Sequence, residues 1–159
     1  MKSLKLAYIA ALVIGIVILL AIIVVLVAPL SPLQQAQPRA PTVEITLIGG
    51  EFDDKYGFAF EGQALSSPGP TLKVKVGETV KINFINKGQI PHTFAIVQEL
   101  KFDATPLFGA SIGSPSKPIF PDVESSIIFT ANRAGSFSYI CTVPGHLERG
   151  MLGKIIIEE

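Results

Sequence analysis

The stretch GSFSYICTVPGHLERGMLG, from Gly135 to Gly153, carries the most specific structural signal in the chain and holds its only cysteine. Phe137, Tyr139 and Cys141 occupy alternate positions, which predicts a half-buried strand with the cysteine at its end. A tight loop containing a Pro-Gly pair follows, and LGKIIIE then predicts a returning strand. The stretch is therefore expected to form two strands joined by a loop.

Several side chains of this loop are soft metal ligands. Four residues separate Cys141 from His146, and four more separate His146 from Met151. The second histidine of the chain, His92, lies in NKGQIPHTFAI at the start of an apolar strand pattern. Two imidazoles, a thiolate and a weak axial thioether form the ligand set of copper electron-transfer sites. The sequence therefore predicts one such site, with His92, Cys141, His146 and Met151 as its ligands.

Each of these residues also has an ordinary structural interpretation. A lone cysteine or methionine is commonly a core side chain, and two histidines can be unrelated surface residues. Against that, the chain has only two histidines, and Met151 is its only methionine besides the initiator. A single cysteine cannot form an internal disulfide, and metal ligation protects a thiol outside the cytoplasm from oxidation.

The C-x4-H-x4-M pattern beginning with CTVPGH resembles the copper loop of the cupredoxins, the small type 1 blue copper proteins. Its spacing is similar to the auracyanin and rusticyanin branch and to archaeal sulfocyanins, whereas azurin-like proteins have a shorter gap from histidine to methionine. The N-x4-P-H pattern from Asn86 to His92 resembles the plastocyanin-like and halocyanin-like sequences. The resemblance covers roughly the last 115 residues, one domain of ordinary size.

The resemblance implies an electron carrier, not an enzyme, with one type 1 copper per chain. It implies that each histidine binds through its δ nitrogen, that the outer edge of His146 is the electron port, and that the thioether of Met151 raises the reduction potential. Amide groups of Thr93 and Val143 are expected to donate to the cysteine sulfur. Many family members have asparagine where this chain has Thr93, which leaves open how the two ligand loops are tied together.

Short runs rich in Val, Ile, Thr and Phe, separated by Gly and Pro, predict an all-β domain over residues 42–159. Seven or eight such strands fit a Greek-key two-sheet β-sandwich, which is cupredoxin-like. Val43–Gly49 is the first predicted strand. The alternation in PGPTLKVKVGETVKINFINKG predicts a hairpin that turns at Gly77 and Glu78.

Two segments of the domain have less regular patterns. The stretch from Glu51 to Ser67 is either an irregular edge strand or a covering loop. Its acidic trio of Glu51, Asp53 and Asp54 is either a docking patch or, more commonly, a solvated surface. The stretch from Glu99 to Pro121 is expected to be a long loop, which suggests partner contact or shielding of the site.

The N-terminus predicts a membrane anchor. Residues 1–30 include an uncharged, aliphatic run from Leu6 to Leu30, long enough for a helix to cross the hydrocarbon core. A cleavable secretory signal is the alternative, although its apolar region is normally shorter. Lys2 and Lys5 precede the run, which places the N-terminus in the cytoplasm and the copper domain outside as a single-pass protein of the cell membrane. Residues 31–41 are proline-rich and predict an extended tether or a simple spacer.

Charge and ligand count narrow the function. The chain has 13 basic and 13 acidic residues, so its net charge gives no reason to expect nucleic-acid binding. The predicted function is single-electron transfer between respiratory-chain complexes. The expected redox partner is a membrane oxidoreductase, a terminal oxidase or a cytochrome, and the copper domain is expected to be monomeric. The alternatives are a copper-binding or delivery module, an accessory subunit of a copper oxidase, and an adhesion-like sandwich. A catalytic copper enzyme would need more ligands than two histidines and one cysteine provide.

Overall fold

The structure is a computed structural model that describes residues 40–159. The predicted anchor over residues 1–30, and the predicted tether as far as residue 39, lie outside the described residues. Among the residues that are described, no helix is long and apolar enough to cross a membrane.

The regular structure of the described chain is β-strand, apart from a single 3-10 turn at Leu107–Gly109. The strands are β1 (Val43–Phe52), β2 (Lys55–Phe60), β3 (Leu72–Lys75), β4 (Thr79–Asn86), β5 (Phe94–Val97), β6 (Ser111–Ile112), β7 (Glu124–Thr130), β8 (Gly135–Ile140) and β9 (Leu152–Glu158). They form a four-stranded sheet in the order β2-β1-β4-β7 and a five-stranded sheet in the order β3-β9-β8-β5-β6. The expected two-sheet, cupredoxin-like sandwich is confirmed.

The core lies between the two sheets, where strands such as β3 and β9 bury alternate side chains and β5 is buried at every position. Phe58 and Phe84 from the first sheet meet Phe94 and Tyr139 from the second, and all four are buried. Phe94 and Tyr139 stack with ring centroids 5.6 Å apart. The Tyr139 hydroxyl donates to the carbonyl of Pro70 at 2.6 Å, which satisfies its one polar atom.

The predicted hairpin around Gly77 and Glu78 is wrong. Strand β3 pairs with β9 in parallel, and β4 pairs with β1 and β7 in the other sheet. The turn therefore carries the chain from one sheet to the other. Leu72 and Val74 face Val80 and Ile82 across the core, and all four are buried. Alternation in sequence identifies the buried face of each strand, but it does not identify the strand's neighbour.

The two irregular segments contain more structure than the sequence indicates. Strand β1 continues three residues past Gly49 to Phe52, and β2 pairs with it as an antiparallel edge strand. The stretch from Glu99 to Pro121 contains the 3-10 turn and the two-residue strand β6, which pairs with β5. Ile119 also pairs with His92 through two backbone hydrogen bonds of 3.0 and 2.8 Å. This segment thus supports the backbone of a predicted ligand.

Candidate metal centre

The four predicted ligands lie in two connections between strands. His92 lies between β4 and β5, and one residue separates it from the start of β5. Cys141 directly follows β8, and His146 and Met151 lie in the loop that leads to β9. We call Cys141–Met151 the copper loop. Because β5 and β8 are antiparallel neighbours, the start of β5 and the end of β8 meet at the same end of the sheet.

Backbone hydrogen bonds define the shape of the copper loop. The His146 N–H donates to the carbonyl of Val143 at 3.1 Å across the Pro144–Gly145 pair, and Gly145 has φ +85°. Proline followed by a residue with positive φ is the pattern of a type II turn, which favours glycine at that position. Met151 donates to the His146 carbonyl at 3.0 Å and accepts from the Cys141 N–H at 3.1 Å. The loop is therefore closed at its base between its first and last residues.

Three of the predicted ligands converge. His92 Nδ1 lies 3.1 Å from His146 Nδ1, and His146 Nδ1 lies 3.4 Å from Cys141 Sγ. One ligand atom from each of the three residues lies within 4.8 Å of the others. All three side chains are buried, with exposed fractions of 0%, 0% and 7% for His92, Cys141 and His146. Both δ nitrogens face the cluster, as the resemblance implies.

Met151 is fully buried beside this cluster. Its side chain belongs to the same apolar core as Cys141. A Cβ atom added at Gly49 would lie 2.9 Å from the Met151 methyl carbon, so Met151 packs closely against β1. The absence of a side chain at Gly49 leaves room for the thioether in this position.

Burial shifts the pKa of each of the three converging groups toward the neutral form. Burial and the neighbouring His92 lower the pKa of His146 to about 4. Burial also lowers the pKa of His92, although Glu51 opposes the shift. Both imidazoles are therefore neutral near pH 7, the form that binds metals. Burial raises the pKa of the Cys141 thiol, so metal binding must expel its proton.

Thr93 supports the cysteine sulfur with two donors. Its N–H lies 3.3 Å from Cys141 Sγ and its hydroxyl lies 3.5 Å from the same atom. The hydroxyl oxygen also accepts the N–H of Thr142 at 2.7 Å and lies 2.8 Å from the Thr142 hydroxyl. Hydrogen bonding from Thr93 and Val143 lowers the thiol pKa against the larger effect of burial. Thr93 therefore ties the two ligand loops together in the place where an asparagine is expected.

Glu51 is a neighbour of the site that the sequence did not reveal. Its Oε1 lies 3.0 Å from His92 Nε2, and its side chain is 21% exposed. Burial acts to raise the pKa of this carboxyl, but hydrogen bonds from the Gln89 and Ile90 amides and the nearby His92 lower it overall. Of the predicted acidic trio, Asp53 and Asp54 remain exposed. Only the register of β1 beside β4 brings Glu51 to the loop before His92, and no local pattern encodes that register.

Tyr56 covers the histidines from the side of β2. Its ring lies 4.7 Å from the His146 ring and 5.9 Å from the His92 ring, in edge-to-face contacts. The guanidinium of Arg149 lies 5.1 Å from the Tyr56 ring centroid, a cation–π contact. His146, whose outer edge the resemblance implies to be the electron port, is 7% exposed beside this ring. Tyr56 lies in the irregular stretch from Glu51 to Ser67, and the sequence does not indicate which residues it contacts.

The donor set fits a copper ion. His92 Nε2 lies 3.0 Å from the Glu51 carboxylate, and its Nδ1 faces the cluster. Two neutral imidazoles and a thiol, buried and aimed at one point, are the donors that copper electron-transfer sites use. A two-sheet sandwich with this site at one end defines a cupredoxin-like copper protein.

Comparison with known proteins agrees. The multicopper oxidase family model (Cu-oxidase_3) matches residues 53–159, and the chain belongs to this cupredoxin-like family of copper-binding proteins. The "copper-resistant cuproprotein CopI" of Rubrivivax gelatinosus is 31% identical over 93 residues, covering 55% of this chain and 56% of that protein. Rusticyanin of Acidithiobacillus ferridurans is 32% identical over 108 residues, covering 64% of this chain and 58% of that protein.

The chain thus spans somewhat more than half the length of these curated relatives. Among solved structures, rusticyanin from Thiobacillus ferrooxidans superposes with a TM-score of 0.58 at 24% identity. That match covers 75% of this chain and 79% of the rusticyanin chain. At this level of identity the structural likeness concerns the fold alone. The family match and the sequence similarity to rusticyanin confirm the predicted resemblance to the cupredoxins.

Proposed function

We propose that this chain is a type 1 copper protein that carries single electrons and is not an enzyme. The observation that carries the proposal is the convergence of His92, Cys141 and His146 within 4.8 Å in a buried pocket. When bound, copper supplies a one-electron Cu(II)/Cu(I) couple. The chain's own residues hold two δ nitrogens and one sulfur in place, with the Met151 thioether as the weak fourth ligand.

The protein scaffold suits electron transfer because it restricts movement of the ligands. Cys141 and Met151 are joined at the base of the loop, and Thr93 links the loop to the segment that carries His92. Because the ligand side chains are buried and their loops are joined by hydrogen bonds, their positions change little between oxidation states. The reorganisation energy of electron transfer is therefore small. The half-buried Ile90, Pro91 and Leu147, with exposed Pro144, supply an apolar patch for a weak, short-lived partner encounter.

The membrane part of the proposal rests on the sequence. The uncharged run from Leu6 to Leu30 anchors the chain as a single-pass protein with a cytoplasmic N-terminus, and residues 31–41 tether the monomeric copper domain. Its redox partners on the outer face are then membrane complexes of a respiratory chain, such as an oxidoreductase, a terminal oxidase or a cytochrome. Alkaline extraction of membranes tests this anchor. The full chain should stay in the pellet, whereas a chain lacking residues 1–30 should be released.

Visible absorption and EPR spectroscopy of the Cu(II)-loaded full chain in detergent test the copper site. An intense red-region band that disappears on reduction is expected, since a thiolate bound to Cu(II) gives such a charge-transfer transition. Cys141→Ser, which keeps a buried side chain of similar size, should lose the band. A wild-type protein that takes up no stoichiometric copper, or takes it up without this band, overturns the electron-carrier proposal.

A copper-binding or delivery role is the second candidate, and the likeness to a protein named for copper resistance favours it. The two candidates differ in what leaves the site. An electron carrier retains copper through many oxidation and reduction cycles, whereas a delivery module releases Cu(I) to a chelator or acceptor. Repeated cycling with an inorganic oxidant and reductant, followed by measurement of the retained copper, distinguishes them. An accessory role in a copper oxidase predicts co-purification with that oxidase from solubilised membranes.

A further inference from the structure

The carboxylate of Glu51 is held rigidly against the first histidine. Its Oε1 lies 3.0 Å from His92 Nε2 and accepts the Ile90 N–H at 3.2 Å. Its Oε2 accepts the Gln89 N–H at 2.7 Å. Two backbone N–H groups and one imidazole nitrogen thus surround one carboxylate. Because donors stabilise the ionised form, Glu51 is a fixed negative charge, not a mobile surface group.

The loop before His92 is built around this contact. A Cβ atom added at Gly88 would overlap Glu51 Oε2 and would lie 2.8 Å from His92 Nε2. The Lys87 N–H donates to the Gly49 carbonyl at 2.8 Å, which fixes the end of β1 beside the same loop. Glycine at position 88 therefore allows the backbone, the carboxylate and the imidazole to approach closely.

An interaction of this kind determines which imidazole nitrogen can bind a metal. A carboxylate accepts a hydrogen bond from the protonated nitrogen of a neutral imidazole, so the other nitrogen keeps its lone pair. Such partners also orient the ring and make the imidazole a stronger donor. A stronger donor and a nearby negative charge both favour the more highly charged oxidation state of a bound ion. For copper that state is Cu(II).

We propose that Glu51 is a positioning residue that fixes the Nε2-protonated tautomer of His92 and lowers the reduction potential of the copper site. This inference rests on the proposed redox function. The effect of Glu51 on the reduction potential opposes that of the two hydrogen bonds from Thr93 to the cysteine sulfur. Donors to the thiolate stabilise Cu(I), whereas the Glu51 carboxylate stabilises Cu(II). The potential is therefore set by two opposing groups on either side of the ligand cluster.

Glu51→Gln tests the charge, because it preserves the size of the side chain and its Oε1 acceptor. We expect it to raise the Cu(II)/Cu(I) potential by about 59 mV, which is a tenfold change in the ratio of the two affinities for a one-electron couple. Glu44→Gln is the matched control. Glu44 lies on the same strand, carries the same charge and pairs with Lys81 at 2.8 Å. Its removal should change the affinity ratio by less than about twofold at moderate salt.

The tautomer is tested without copper. Nitrogen-15 NMR of the metal-free, full-length protein in detergent should show His92 protonated at Nε2 in the wild type. In Glu51→Leu, which has no acceptor, a mixture of tautomers is expected, whereas Glu44→Leu should leave the signal unchanged. Nδ1 protonation of His92 in the wild type overturns the proposal, whatever happens to the stability of the variants.

The two readouts separate this inference from the proposed function. If the wild-type protein lacks the blue spectrum, the electron-carrier proposal fails. The NMR measurement of the His92 tautomer then still tests the positioning role of Glu51. If the wild type is blue and Glu51→Gln shifts the potential no more than Glu44→Gln, the inference about Glu51 fails alone. Glu51→Asp retains the charge, so a potential nearer to the wild type than that of Glu51→Gln is the further expected result.

Discussion

The hydroxyl oxygen of Thr93 accepts the backbone N–H of Thr142 at a distance of 2.7 Å. This bond joins the residue after the first histidine to the residue after the cysteine. Both side chains are buried, and the two hydroxyl oxygens lie 2.8 Å apart. If the Thr142 hydroxyl donates to Thr93, the proton of the Thr93 hydroxyl is free to point at the cysteine sulfur, 3.5 Å away.

Thr93→Val should remove the hydrogen bonds that join the two loops, while the side chain keeps its size. The variant leaves the Thr142 N–H and hydroxyl buried without their partner, which costs about 1–3 kcal/mol. The free energy of unfolding of the copper-free protein, measured in urea, should fall by this amount. Thr93→Ser retains the hydroxyl and is the control; it should lose only the contribution of one methyl group, about 1 kcal/mol. A valine variant as stable as the serine variant would contradict this role.

The ring of Tyr56 should limit access to the metal centre. Tyr56→Ala removes the side chain that covers His146 and leaves its edge open to solvent. Copper bound to this variant should be lost to an excess of chelator faster than copper in the wild type. Tyr56→Phe keeps the ring and its contact with the imidazole, so its rate should match the wild type. Equal rates for all three proteins would show that access does not pass by Tyr56.

The cluster of candidate ligands could be predicted from sequence because it depends largely on local spacing. Cys141, His146 and Met151 lie in one loop, where a strand, a Pro-Gly turn and a returning strand determine their positions. His92 could be added because the chain has only one other histidine. The strand bounds near the site also followed the alternation of apolar residues, as in β8 and β9.

The neighbours of the ligands could not be predicted because they depend on long-range pairing. Glu51 meets His92 across 41 positions, and Tyr56 meets His146 only after β2 folds back on β1. The pairing of β3 with β9 instead of β4 has the same origin. An alternating strand fits beside any partner that buries the same face, so the choice is made by the packing of the whole sandwich.

The stability of the copper-free protein should fall as the pH is lowered from 7 to 5. The pKa of His146 is lowered from its ordinary 6.5 to about 4 in the folded protein, mainly by burial and by His92. The unfolded chain therefore binds the proton first, so stability is present above pH 6.5 and is lost toward pH 4. His92, whose pKa is also lowered, contributes in the same direction.

The free energy of unfolding should fall by about 2 kcal/mol between pH 6.5 and pH 4, a value reduced from the full shift because solvent partly reaches His146. Urea unfolding of the metal-free protein at a series of pH values measures it. His146→Gln removes one titrating group and should flatten the curve above pH 5. The carboxyl groups with lowered pKa, Glu44 and Glu51, act in the same direction only at more acidic pH, below their ordinary value of 4.5. A wild-type curve that is flat from pH 7 to 5 would rule out buried neutral histidines.

Met151 should act on the copper and not only on the core. Met151→Gln places an amide oxygen, a harder donor, where the soft thioether lies, and harder donors favour Cu(II). The potential should therefore fall relative to the wild type, with a change in the visible and EPR spectra. Met151→Leu is the control for packing, since an apolar side chain of similar volume costs less than about 1.5 kcal/mol in a core. It should keep the protein folded and should not lower the potential. If the glutamine variant is destabilised but keeps the wild-type spectrum and potential, Met151 is a core residue and the copper has three protein ligands.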